Sequence, residues 1–229
     1  NKQVRFLNKL FDSFNEENLK YCILRNYEKL PYNIGNDLDL LVQDSHKTDA
    51  FMILESTGKH YDYKLVNKIN RYGYLGLTYT DLDTKKKIKI DLITKSLKQW
   101  FEYADSNYIL QNRTKYKNFY IAPFGSVLYT ILLKDILTYG ELRKKNYYLI
   151  KLMSEDIRAV FIKTGKGFID KRVLENLFKV SISGRNVSRI NLYFRLLLFS
   201  SIINLITFIY YRIKDYIANI FYWKWVTNN

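Results

Sequence analysis

In the stretch KKIKIDLI, residues 86–93, charged and apolar residues alternate from Lys87 to Leu92, so Lys87, Lys89 and Asp91 share one side of an extended chain and Ile88, Ile90 and Leu92 the other. Only a strand with one face on a core satisfies that pattern. YDYKLV and YGYLGLTY read as further strands, and TDLDTKK as the turn that leads into the alternating one. Ahead of them, Val4, Leu7, Leu10, Phe11 and Phe14 recur at helical spacing over about the first seventeen residues. YCILR reads as a strand, NYEKLPYNIGN as a loop, DLDLLVQ as a second strand, and HKTDAFMILES as a helix that stops before Gly58. After Pro123 the pattern is helical only, with starts expected at Ser126, Ser154 and Asp170. The expected architecture is α/β (α+β), a mixed sheet with helices on one face, followed by a helical C-terminal region. Residues 1–120 would form the first domain, 121–184 a helical domain and 185–229 an apolar, basic C-terminal helix.

The loop hands over to the second strand in NIGNDLDLLV, which carries Asp37 and Asp39 two residues apart at the mouth of an apolar run. Residues i and i+2 of a strand point to the same side, so these carboxylates repel unless a cation sits between them. Asp91 supplies a third acid from a neighbouring strand. Three aspartates on one face suit a magnesium (or manganese) site for phosphoryl transfer, because such ions take carboxylate oxygens and bridge to substrate phosphates.

With YCILRN, DLDL about ten residues later and KIDLI as the source of a third acid, the chain resembles the nucleotidyltransferase superfamily of DNA polymerase beta-like fold over residues 1–150. More narrowly, LRNYEKLP and GNDLDLLV are similar to uncharacterised bacterial nucleotidyltransferases found with surface polysaccharide genes. The resemblance implies metal binding by Asp37, Asp39 and Asp91, with Asp91 assisting an attacking hydroxyl. Where the family has Gly-Ser, this chain has Arg25 and Asn26. Arg25 and Asn26 would hold the substrate phosphates there, Arg25 through a bidentate grip that suits a pyrophosphate or phosphosugar as well as a triphosphate. Lys134, in LLKDILTYGELR, is the candidate phosphate-binding cation of a following helix, and a solvated partner of Asp135 or Glu141 is its alternative role. Tyr139 and Arg143 are candidates to flank the same cleft. The implied acceptor is a sugar, lipid-linked sugar or polyol of surface polysaccharide assembly.

Two other readings stand beside the enzyme: a catalytically inactive scaffold that binds a partner, and a nucleic-acid binder. The excess of 37 Lys and Arg over 22 Asp and Glu favours phosphate-bearing partners of either kind. The lysines are scattered through strands and helices without clustering, which ranks nucleic acid third. The single cysteine, Cys22, lies inside an apolar run and reads as a buried core thiol in a reducing cytoplasm. No secretory pattern is expected from the charged, amphipathic opening NKQVRFLNKLFDSF. His46 and His60 lack zinc-ligand spacing and read as surface residues; GKGF and VSISGRNVSR lack the Gly-Lys-Ser/Thr of a phosphate loop and read as loops.

Near the C-terminus, Leu196 to Tyr211 is uncharged over sixteen residues. At about 1.5 Å per residue that helix reaches roughly 24 Å, short of the about 30 Å hydrocarbon core. Flanking Arg185, Arg189, Arg195, Arg212 and Lys214, with FYWKW beyond, suit a helix lying on the inner face of a membrane. A core helix packed on the first domain, or on a second copy of the chain, is the competing expectation.

Overall fold

Strand alternation decides which residues of this chain face each other, and the computed structural model shows the outcome for residues 1–98, 101–139, 143–146 and 154–166. The elements are α1 (Lys2–Glu16), β1 (Tyr21–Ile23), β2 (Leu38–Val42), α2 (Lys47–His60), β3 (Tyr63–Arg71), β4 (Tyr74–Asp81), β5 (Lys87–Ile93), β6 (Ser96–Lys98), β7 (Phe101–Ala104), α3 (Ser106–Gln111), β8 (Thr114–Tyr116), β9 (Phe119–Ile121), α4 (Phe124–Tyr139) and α5 (Glu155–Gly165). Seven strands form one mixed sheet in the order β3-β4-β5-β2-β1-β9-β8, and β6 pairs with β7 in a separate hairpin. Within the large sheet β2 runs parallel to β5 and β1 parallel to β9, and the other neighbours are antiparallel.

One face of the sheet is closed by α1 and α2. Asn1 caps α1 by accepting from the Gln3 amide, and the helix turns Phe6, Leu7, Leu10, Phe11 and Phe14 inward. They pack on Tyr21, Ile23, Leu40, Leu77, Ile90 and Phe119 in one continuous core. The residues in between on the same strands point the other way. Cys22 and Leu41, with Ile93 packed against them, meet Ile109, Leu110, Leu128, Leu132 and Phe161 of α3, α4 and α5.

Helices therefore flank both faces, in place of the one expected from sequence. The apolar runs of β1 and β2, buried at every position, require cover on both sides. Two boundaries also differ. α2 continues through Gly58 to His60, because Gly58 is a close-packing position: a Cβ there would stand 3.3 Å from the Tyr79 ring. α4 starts at Phe124, so Ser126 lies inside the helix, where its hydroxyl shares a 2.8 Å hydrogen bond with that of Thr164. Ser154 does cap α5, accepting from the Ile157 amide. β3 runs on to Arg71 and turns at Gly73, whose φ of 68° suits glycine. Asp170 and the apolar stretch at 192–211 lie outside the described residues. Among the described residues, no helix is long and apolar enough to cross a membrane.

Candidate metal centre

β1 ends at Ile23, but the chain stays beside β2 for one more residue, with the Leu24 amide donating to the Asp39 carbonyl at 3.0 Å. That contact sets Arg25 next to the start of β2. Asn26 then adopts a left-handed backbone, φ 58°, and turns the chain into the loop that returns at Asp37. Asparagine is among the few side chains that enter this region readily, so Asn26 serves where glycine would otherwise stand.

Asp39 is the cross-strand partner of Asp91 in the parallel β2–β5 pair. Both belong to the sheet face opposite α1. One carboxylate oxygen from each of Asp37, Asp39 and Asp91 lies within 4.8 Å of the other two. Asp39 is 5% exposed, and Asp37 and Asp91 are half-buried. At that separation each pair of charges repels by about 3–4 kcal/mol at an effective dielectric of about 20. Burial, followed by the charges of Asp39 and Asp37, drives the Asp91 pKa upward; the Tyr74 hydrogen bond and the Lys134 charge act the other way without reversing it.

Arg25 and Lys134 bring positive charge to the three acids. Arg25 donates from Nε to Asp39 Oδ2 in a close ion pair, with its side chain 27% exposed. Burial opposes the Arg25 charge, but Asp39 and then Asp37 outweigh it and hold the guanidinium above its ordinary pKa. Lys134 sits exposed on α4, within electrostatic reach of Asp91. An octahedral magnesium with oxygens at about 2.0–2.1 Å spaces them roughly 2.9–4.2 Å apart, so an all-carboxylate set already within 4.8 Å fits a hard divalent cation after small side-chain movements.

Tyr74 and Tyr103 complete the surroundings, and sequence reading missed both. Tyr74 Oη donates to Asp91 Oδ1 at 2.9 Å. The signal for it is the aromatic at i and glycine at i+2 in YGYLGL, which share a strand face. Tyr103, on β7, is 7% exposed. Burial pushes its hydroxyl up to about 12, the Arg25 charge pulls it down and Asp39 raises it further, so the ring belongs to the same electrostatic neighbourhood. Tyr129 of α4 donates to the Tyr103 carbonyl, which ties the hairpin to the helix.

The structure gathers Arg25, Asp37, Asp39 and Asp91 at one point and brings Lys134 within range. Asn26 contributes its backbone turn, with an exposed side chain. Asp135 is fully buried and accepts from Arg143 Nε at 2.8 Å and from Asn146 Nδ2 at 2.6 Å. Arg143, also stacked 4.8 Å from the Tyr139 ring, thus anchors the segment after α4. His46 is half-buried, its Nδ1 accepting from the Lys20 amide at 3.0 Å.

No family model matches this chain, and no curated protein matches it. Among solved structures, the crystal structure of JHP933 from Helicobacter pylori aligns over 96% of this chain and 96% of that one, at 11% identity and a TM-score of 0.43. A likeness at that level bears on neither activity nor substrate.

Proposed function

We propose that the chain is a magnesium- or manganese-dependent enzyme of the nucleotidyltransferase type, transferring a nucleotidyl or phosphoryl group to a hydroxyl acceptor. The observation that carries this reading is the convergence of Asp37, Asp39 and Asp91 on one face of paired strands. Asp37 and Asp39 would hold the metal and Asp91 would complete the set. Bound there, a divalent ion supplies the positive charge that offsets the donor's phosphates. Asp91 takes the proton of the acceptor hydroxyl as the oxygen bonds to phosphorus and the bond to the departing phosphate breaks. Arg25 commits Nε to Asp39 and keeps its other N–H donors for phosphate oxygens. Lys134 approaches from α4 with a second positive charge. A sugar, lipid-linked sugar or polyol is the proposed acceptor, at the cytoplasmic side of a membrane.

One specific observation favours a second reading. The Arg25–Asp39 ion pair places a cation inside the cluster, which is how a retired active site kept as a binding scaffold would neutralise its acids. Calorimetric titration of Mg2+ or Mn2+ with ATP, CTP, GTP and UTP separates the two. The enzyme reading expects metal-dependent binding of a nucleotide that an Asp37→Asn, Asp39→Asn double variant abolishes. A wild-type protein that is folded and binds neither metal nor nucleotide supports the scaffold.

A further inference from the structure

Asp91 is held from outside the cluster, and the device that holds it spans two strands. In the antiparallel β4–β5 pair its cross-strand partner is Gly76. Tyr74, two residues earlier on β4, shares the face of Gly76 and lays its ring across it to reach Asp91 Oδ1 at 2.9 Å. A Cβ at residue 76 would stand 2.5 Å from Tyr74 Oη, 2.9 Å from Cζ and 3.0 Å from Cε1. Any other residue there would push the ring off. Glycine weakens a strand interior, and here the weak position lies directly opposite the acid.

β4 carries its own internal comparison. Tyr79 also donates to a carboxylate, Glu55 Oε1 at 2.7 Å, but on the opposite face under α2, where it locks helix to sheet. Tyr74 locks no helix: its hydroxyl goes to one of three clustered acids whose charges push one another apart.

From this arrangement we infer that Tyr74, seated on Gly76, is a positioning residue that fixes the plane of the Asp91 carboxylate so that it presents an oxygen toward Asp37 and Asp39 for a divalent cation. The inference rests on the metal-site reading above. Hydrogen-bond partners of metal ligands typically set affinity by 10–100-fold, which gives the expected size of the effect.

The test is calorimetric titration of Mn2+ alone into the wild-type chain and into Tyr74→Phe, Gly76→Ala, their double variant and Tyr79→Phe, with Tm recorded for each. Tyr74→Phe keeps the ring and removes only the hydroxyl. It is expected to weaken Mn2+ binding by about 10–100-fold, while Tyr79→Phe stays within about twofold of wild type even where its Tm falls. Gly76→Ala is expected to match Tyr74→Phe, and the double variant to lose little more than either, because both changes break one contact. Should Gly76→Ala fail to fold, Tyr74→Phe decides alone. If Tyr74→Phe binds like wild type while Asp39→Asn abolishes binding, the metal site stands and the positioning role falls. Equal losses in Tyr74→Phe and Tyr79→Phe would trace the effect to the strand as a whole and overturn the inference. A wild-type chain that does not bind Mn2+ removes both the inference and the reading beneath it.

Discussion

The two faces of the central sheet treat a buried aspartate in opposite ways. On the face closed by α1, Asp81 is 4% exposed and fully answered: Lys2 Nζ donates to it at 2.9 Å, the Thr84 hydroxyl at 2.8 Å and the Asp83 amide at 3.0 Å. On the other face, Asp39 has Arg25 and two further carboxylates as neighbours. A carboxylate that stabilises a fold comes with its donors supplied. One set among like charges adds repulsion, and a bound cation, as in the proposed function, would relieve it.

If that division is right, the faces separate under mutation. The largest effect is expected under α1, where Phe11 is fully buried and packs on Phe119 with ring centroids 5.0 Å apart. Phe11→Ala should cost about 3–5 kcal/mol in urea unfolding, with Mn2+ affinity of the folded protein unchanged within about twofold. A matching loss of metal affinity would mean that the faces are not independent. Asp91→Asn should do the reverse. Mn2+ affinity should fall at least about 100-fold, equivalent to about 2.7 kcal/mol, and the Tm should hold or rise because a like charge has gone. A Tm drop like that of Asp81→Asn would reclassify Asp91 as structural.

Arg25 tests the boundary between the two kinds of acid. Arg25→Met leaves Asp39 nearly buried without its ion-paired cation. The expected cost is about 2 kcal/mol, below the about 3–5 kcal/mol of a fully buried pair because more than a quarter of the arginine side chain is exposed. Mn2+ at about a hundred times its dissociation constant should return about 2.7 kcal/mol, seen as a metal-dependent Tm. If only the variant binds Mn2+ and the wild type does not, Arg25 is a permanent substitute for the ion and the scaffold reading gains.

The acids were legible in the sequence because strand period is local: Asp37 and Asp39 two apart, and Asp91 in an unbroken alternation, need no knowledge of distant pairing. Their meeting needed the β2–β5 register, which the motif resemblance supplied as an expectation. Tyr74 was not legible as a partner of Asp91, since Gly76 lies opposite Asp91 only through the β4–β5 register. The three- and four-residue strands β6 to β9 are too short to show a period. Cover on both faces was within reach, for LDLLV buries Leu41 as well as Leu40, and a strand apolar on both sides has no face to give to water. Gly58 misled in the other direction, because a glycine used for close approach looks in sequence like one that ends a helix.

The smallest effect expected is also the one that sets the two faces against each other in a single scan. The Lys2 hydrogen bond, with those from Thr84 and the Asp83 backbone, holds Asp81 far below the usual carboxylate range. A depressed folded pKa means that the unfolded chain takes up the proton first as pH falls. The stability from this pair is therefore present above the unfolded value of about 3.9 and drains away below it. Asp91 has the opposite sign: burial and its acidic neighbours raise its pKa, so the folded chain takes up the proton first and gains stability as pH falls through that raised value, until the unfolded chain is protonated as well. In the presence of a chelator, the Tm of the wild type should rise modestly as pH falls through the raised Asp91 pKa and then drop below about pH 4. Asp91→Asn should reduce the rise, leaving the part that burial of Glu102 contributes, and keep the drop. Lys2→Met should lower the neutral-pH Tm and soften the drop while keeping the rise. A wild-type curve that only falls on acidification would mean that the Asp91 carboxylate is not held against its charge, and the distinction between an answered acid and an assembled one would fail at the residue on which it most depends.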